Sequence, residues 1–69
     1  MELERTEQLL KQLHEQLNNE IEHGQRDTAR FLYGQIAGVL MLALYLKIID
    51  REEHDRRYIE VQDKFYDAF

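Results

Sequence analysis

A long uncharged stretch in the middle of the chain constrains the fold most. No charged residue lies between Arg30 and Lys47, and Gln35 is the only strongly polar side chain there. The large apolar residues of this stretch are Phe31, Leu32, Ile36, Val39, Leu40, Met41, Leu42, Leu44 and Leu46. At helical spacing they point around the whole circumference, and a helix that is apolar all round is buried all round. The sequence therefore predicts a central helix that other helices cover.

The remaining composition favours an all-α fold. The chain has 69 residues, no proline and no cysteine. Proline-free chains rich in Leu, Glu, Gln and Arg are typically helical. A domain this small has a marginal core, and oligomerisation supplements the core where disulfides cannot form. The lack of cysteine, and an acidic N-terminus with no apolar run after it, predict a cytoplasmic protein without a signal peptide.

The pattern predicts one domain of three helices, over residues 3–23, 27–48 and 51–67, as a long helical hairpin followed by a shorter third helix. In the first helix Leu3, Leu10 and Leu17 are seven residues apart, which indicates a seam that faces one neighbour. Gly24 is placed to end that helix in a left-handed cap. Asp50, three residues before a glutamate, is the expected N-cap of the third helix.

The central helix also predicts a homodimer. Two short flanking helices cover only part of a fully apolar cylinder, and monomers rarely expose the remaining apolar patch. The small residues of Gly34-x-x-x-Gly38 let another backbone approach closely. The residues expected to pack in the core or the dimer, as a dimeric helical bundle, are Phe31, Gly34, Ile36, Gly38, Met41, Leu42 and Tyr45.

A membrane protein with one central span is an alternative interpretation of the same stretch. The uncharged run is about 16 residues long, shorter than the roughly 20 that cross a bilayer. The apolar seams of the first and third helices would also lack a partner in such a protein. The sequence therefore favours a soluble bundle, and membrane association is not expected.

No motif for catalysis, metal binding or a cofactor is present. Glu20-x-x-His23 has the spacing of helical di-metal sites, but the central helix offers no inward carboxylate to complete such a site. His23 is expected to interact with a helix end, His54 to pair with Asp50, and His14 to lie at the edge of the seam. The chain contains no serine and no glycine-rich phosphate loop. We expect a non-enzymatic protein with no catalytic residue, metal or cofactor.

The charged surfaces offer two candidate binding sites. The net charge of −5 argues against a general affinity for nucleic-acid phosphates. An acidic helix surface can instead dock on a basic groove of another protein, and the candidate partner-binding residues are Glu15, Glu20 and Glu22. The alternative is a small regulatory nucleic-acid-binding protein that uses Arg51, Arg56 and Arg57. Interleaved carboxylates weaken this alternative, and the spacing of Glu52–Arg56 and Glu53–Arg57 predicts ion pairs within the helix.

One segment carries a resemblance. Residues 29–38 read Ala-Arg-Phe-Leu-Tyr-Gly-Gln-Ile-Ala-Gly, and residues 48–53 read Ile-Ile-Asp-Arg-Glu-Glu. An aromatic-Tyr-Gly-Gln-Ile-x-Gly segment that leads an apolar helix, followed by an acidic helix start, resembles small uncharacterised helical proteins of phages and prophages of Gram-positive bacteria. The resemblance covers about a third of the chain and excludes the long first helix. It implies an accessory protein or inhibitor that binds a host protein, and it supplies no active residue.

Overall fold

The computed structural model describes residues 2–69, which form three α-helices. They are α1 (Leu3–Glu22), α2 (Arg26–Tyr45) and α3 (Arg51–Ala68). No strand occurs within this range, so the predicted all-α three-helix domain is confirmed. The first and third helices end within one residue of their predicted ends, whereas α2 ends three residues earlier than predicted.

The turn between α1 and α2 has the predicted left-handed glycine. Gly24 adopts a φ of 70°. Its N–H donates to the carbonyl of Ile21 at 3.0 Å, and the N–H of Gln25 donates to the carbonyl of Glu20 at 2.9 Å. These two bonds form a Schellman motif, which satisfies carbonyls that the end of α1 leaves free. The prediction for Gly24 is confirmed.

The end of α2 corrects the predicted helix boundary at residue 48. Lys47 takes the left-handed conformation, with a φ of 61°. The N–H of Lys47 donates to the carbonyl of Leu44 at 3.0 Å, and the N–H of Ile48 donates to the carbonyl of Ala43 at 2.9 Å. This is the same Schellman geometry with a lysine in the glycine position. Because no glycine marks it, sequence reasoning extended the helix past its true end.

Helix α3 begins at the predicted cap. The Asp50 carboxylate accepts a hydrogen bond from the N–H of Glu53 at 2.8 Å. Such a cap satisfies one of the free N–H groups at a helix start. The Glu53 side chain does not return to the Asp50 backbone but binds Arg56 and Arg57 instead. The cap is therefore confirmed, and the reciprocal half of a capping box is absent.

The core lies on one side of α2, where α1 and α3 both pack. Leu10, Leu13 and Leu17 of α1 are buried as the predicted seam requires, whereas Leu3 is 51% exposed. The hydroxyl of buried Thr6 donates to the carbonyl of Glu2 at 2.7 Å, so its oxygen is satisfied within its own helix. The buried apolar residues are Leu10, Leu13, Leu17, Ala29, Leu32, Ile36, Leu40, Ala43, Ile49, Val61 and Phe65.

Two polar contacts join α1 to α3 across this core. The Arg57 guanidinium contacts the Glu7 carboxylate at 2.6 Å, and Lys64 Nζ lies 3.1 Å from His14 Nδ1. A crevice bordered by Glu7, His14 and Arg57 reaches down to buried Leu40 of α2. Side chains of α1 and α3 therefore close over the inner side of α2.

Candidate interaction surface

The other side of α2 is not covered. Phe31 is 65% exposed, Met41 67% and Tyr45 81%, although all three lie in the most apolar segment of the chain. Gly34 and Gly38 are exposed between them. We call this row the outer seam; its members are Phe31, Gly34, Gly38, Met41 and Tyr45. The prediction that α2 is buried all round is therefore wrong for the single chain, because two helices cover one side only.

The residues expected in the core or the dimer separate into two groups. Ile36 is fully buried and belongs to the core. The five residues of the outer seam lie on the exposed side of α2, and Leu42 lies beside them with 46% of its surface exposed. Periodicity placed all seven on α2 correctly but could not assign each one to the inside or the outside of the single chain.

A groove between α2 and α3 runs along the outer seam. It consists of two hollows, of about 270 and about 610 Å³, which share Gly34, Ala37 and Tyr58 in their lining. Small α2 residues form one wall and aromatic α3 residues the other. Arg30 and Tyr66 lie at one end of the groove, and Met41 and Asp55 at the other. The groove therefore carries a cation at one end and a carboxylate at the other.

An aromatic cluster holds the α3 wall of this groove. The Tyr33 hydroxyl lies 3.3 Å from the Tyr58 hydroxyl, and the Tyr33 ring centre lies 5.3 Å from that of Phe65 and 6.2 Å from that of Tyr66. The hydrogen bond to Tyr58, followed by burial, raises the pKa of Tyr33 to about 12. These rings pack edge-on or tilted, as aromatic pairs prefer. Sequence reasoning missed this wall, although the spacing of Tyr58 and Tyr66 places them on one face of α3.

The two glycines of the outer seam have no role within the chain itself. A Cβ atom added to Gly34 or Gly38 would meet nothing within 4 Å. Each glycine nevertheless weakens a helix interior by about 1 kcal/mol relative to alanine. Neither has the positive φ that would require glycine, unlike Gly24. Packing within a single chain therefore gives no reason for glycine at these two positions.

The predicted acidic residues do not share one face. Glu15 and Glu22 are exposed and seven residues apart, on the side of α1 away from the core. Glu20 is half-buried, and its position two residues before Glu22 turns it toward a flank of the helix. Within residues 2–69 these three glutamates form no ion pair. Glu15 and Glu22 therefore remain as an exposed acidic pair.

Two of the three candidate arginines are occupied by carboxylates. Arg57 binds Glu7 and Glu53, and Arg56 binds Glu53 and Glu60. The predicted Glu53–Arg57 pair is confirmed, whereas the structure shows no Glu52–Arg56 pair among residues 2–69. The two guanidinium groups hold the pKa of the Glu53 carboxyl below its usual range. Since these charges are already paired, the geometry favours a structural role for Arg56 and Arg57.

The histidines lie apart from one another. His23 Nδ1 is 2.7 Å from the carbonyl oxygen of Asn19 in the last turn of α1, which fits the predicted interaction with a helix end. His54 pairs with Asp55 at 2.9 Å rather than with Asp50 as predicted. Burial, followed by the charge of Lys64, lowers the pKa of His14. Across residues 2–69 no three His, Asp or Glu side chains are grouped as a metal site requires.

Helix α2 is also long and apolar enough to cross a membrane, and it is the one helix among residues 2–69 that is. Only 28% of its most apolar 18-residue window is buried within the chain. Core helices of globular proteins pass the same test, and the seams of α1 and α3 do pack against α2 here. The expectation of no membrane association therefore stays a prediction.

Comparison with protein-family models, with curated proteins and with solved structures finds no match to this chain. The resemblance to phage and prophage proteins stays a prediction. Of the surfaces described above, the outer seam and its groove are the most apolar.

Proposed function

We propose that this protein is a non-enzymatic interaction module that acts as a homodimer through the outer seam of α2. The observation that carries the proposal is the exposure of Phe31, Met41 and Tyr45 along one face of α2. A helix with so apolar a sequence is normally buried. Aromatic residues and methionine are enriched in the centres of protein interfaces. Charged side chains are absent from the middle of this face, as in the core of an interface.

The size of the surface fits this proposal. Five large apolar side chains of α2 and its C-cap are exposed: Phe31, Met41, Leu42, Tyr45 and the cap residue Leu46. Together they present several hundred Å², which is at the upper end of what monomers tolerate. With the adjacent groove and its polar rim, the face approaches the roughly 800 Å² per partner of a standard interface. A second copy would cover the patch and supplement a small core.

Met41→Glu tests the proposal. A carboxylate at this position of the outer seam would be buried without a partner in a dimer, so we expect the variant to be a monomer. The matched control is Leu3→Glu. Leu3 is 51% exposed, lies on α1 beside Glu7 and Ile48, and receives the same added charge. Analytical ultracentrifugation measures the mass of each form against the chain mass of 8.4 kDa.

We expect the natural chain and Leu3→Glu to sediment at twice the chain mass, and Met41→Glu at the chain mass with unchanged helical circular dichroism. A natural chain that stays monomeric up to millimolar concentration would refute the homodimer. If the same monomer floats with neutral phospholipid vesicles and Met41→Glu does not, the outer seam serves a membrane surface instead. Dimer formation and membrane binding involve the same residues, but sedimentation measures the first and vesicle flotation measures the second.

A second candidate function uses the acidic pair Glu15 and Glu22. These carboxylates are exposed on the side of α1 away from the core and are not engaged by a cation of residues 2–69. Such a surface suits a basic groove on another protein. A dimer would carry two of these surfaces, which raises the avidity for a partner with two grooves. This is the form in which the chain would act as a phage-type accessory protein or inhibitor of a host protein.

Charge reversal tests this second function. The Glu15→Lys, Glu22→Lys double variant should lose capture of the partner from a host lysate, as identified by mass spectrometry. Glu20→Lys is the matched control, because Glu20 lies on a flank of α1 and should leave capture unchanged. Equal capture by the natural chain and the double variant would exclude the acidic pair as the binding surface. The result is independent of Met41→Glu, whose effect is on self-association.

A further inference from the structure

The outer seam has the regular spacing of a helix-packing face, as the buried inner face of α2 also has. Its residues Phe31, Gly34, Gly38, Met41 and Tyr45 follow one another at alternating steps of three and four. Asp27, four residues before Phe31, continues the row at its N-terminal end and is exposed. Steps of three and four are the repeat by which one helix packs along another. The uncovered face is therefore patterned for a second helix that runs along its length.

The spacing of the seam is also the same from both ends, at steps of four, three, four, three and four from Asp27 to Tyr45. Counting outward from Ile36, Gly34 corresponds to Gly38, Phe31 to Met41, and Asp27 to Tyr45. In a two-fold dimer each residue meets its counterpart on the other copy. We infer that the face is occupied by α2 of a second copy, antiparallel to the first, with the two-fold axis at the level of Ile36. This inference rests on the proposed homodimer and specifies its geometry.

Each pair of counterparts is chemically complementary. Glycine opposite glycine lets the two backbones approach, which accounts for the two residues that have no role within one chain. Phe31 would pack against methionine, whose sulfur makes favourable contacts with aromatic rings. The Tyr45 hydroxyl would donate to the Asp27 carboxylate at both ends of the seam. The antiparallel arrangement thus accounts for close glycine packing, an aromatic–sulfur contact and a hydrogen bond.

The charges of the groove agree with the antiparallel direction. Arg30 lies at one end of the groove and Asp55 at the other. The two-fold operation brings the Arg30 end of one copy to the Asp55 end of its partner, so each dimer gains two pairs of opposite charge. A parallel pair would instead bring Arg30 to Arg30 and Asp27 to Asp27, and like charges at an interface are unfavourable.

Cysteine cross-linking tests the direction directly, because the natural chain has no cysteine. Phe31→Cys and Met41→Cys are purified separately under reduction, mixed, and oxidised. We expect a disulfide between the two variants in the mixture, and little product from either variant alone. A parallel dimer would give the opposite pattern, with each variant linking to itself and no mixed product. That pattern would overturn the antiparallel geometry while leaving the homodimer intact.

Charge exchange provides a second measurement that keeps the seam unchanged. Arg30→Asp and Asp55→Arg should each weaken the dimer roughly ten-fold, since each places like charges together. The double variant Arg30→Asp, Asp55→Arg should restore the dimerisation constant to within about three-fold, because it exchanges the two ends. Dimerisation that is equally weak in the double variant would refute the pairing of these residues. A natural chain without any dimer would instead refute the proposed function itself.

Discussion

The two faces of α2 are both uncharged between Arg30 and Lys47 but have opposite surroundings. On the inner face Ile36, Leu40 and Ala43 are at most 1% exposed, and on the outer face Phe31 and Tyr45 are 65% and 81% exposed. No charged residue separates the two faces in the sequence. The difference arises from the neighbours, since α1 and α3 pack on one side and their side chains join across the inner face alone. The apolar content of a helix therefore indicates how much of its surface should be buried. It does not indicate whether the same chain or a partner buries that surface.

The largest expected effect is on the inner face. Ile36→Ala removes a fully buried side chain, and we expect the free energy of unfolding to fall by about 2–5 kcal/mol. Urea unfolding followed by circular dichroism measures the change. The loss should be the same at low and high protein concentration, because Ile36 packs within one chain. A loss that depends on concentration would place Ile36 in the interface and end the distinction between the two faces.

A smaller effect is expected at the turn that brings Ile49 onto the inner face. Lys47→Gly places glycine where the backbone is left-handed, and we expect a gain of about 0.5–1 kcal/mol in the free energy of unfolding. Gly24→Ala makes the reverse change at the other turn and should cost about 1 kcal/mol. Thermal unfolding of Lys47→Gly and Gly24→Ala measures the two changes in stability. A destabilised Lys47→Gly would mean that the lysine side chain stabilises the turn by more than its backbone costs.

The polar contacts over the inner face predict a pH dependence. Lys64 donates to neutral His14, whose pKa is lowered by burial and by that ammonium group; Glu60 and Arg57 also face it. Below the ordinary histidine pKa of about 6.5, the unfolded chain binds a proton more readily than the folded chain. Stability should therefore fall as the pH decreases from about 7.5 to about 5.

Urea unfolding across this pH range measures the effect, with His14→Gln as the control. His14→Gln should flatten the pH dependence, because the amide does not titrate. Protonation of Glu53 does not contribute over this range, because its pKa is lowered. An unchanged slope in the variant would assign the dependence to another group and would leave His14 without a part in closing the inner face.

The smallest effect is expected on the outer face of the monomer. Phe31→Ala should change the stability of dilute protein by no more than about 0.5 kcal/mol, because the ring packs on little of its own chain. At high concentration the cost should rise, since the dimer contributes to stability by mass action. Urea unfolding over a series of protein concentrations separates the stability of the monomer from the contribution of the dimer. A cost near that of Ile36→Ala in dilute protein would show that the outer face belongs to the monomer core.

The helices and their caps were predictable from sequence because their signals are local. The spacing of Leu10 and Leu17, the glycine at position 24 and the aspartate at position 50 each depend on a few neighbouring residues. The end of α2 was not predictable in the same way. A lysine in the left-handed conformation gives no sequence signal, because only a minority of non-glycine residues adopt it.

The candidate surface was predictable only in part. Periodicity identified the apolar residues of α2, including Phe31 and Met41 of the outer seam. It could not separate them from Ile36, because the orientation of α2 depends on where α1 and α3 pack. The groove was missed altogether, since its two walls, with Gly34 on α2 and Tyr58 on α3, come together only through the packing of α2 on α3. Residues from distant parts of the chain leave no periodic pattern.

The left-handed lysine at the end of α2 has a consequence for local motion. Unwinding the last turn of α2 would release the backbone strain at Lys47, so opening there needs less free energy than opening of the helix centre. The amide hydrogens of Lys47 and Ile48 should then exchange with solvent sooner than those of Leu40. Tyr45 is the last residue of α2. A segment that frays more easily than the helix centre therefore adjoins one end of the surface by which we propose that two copies recognise each other.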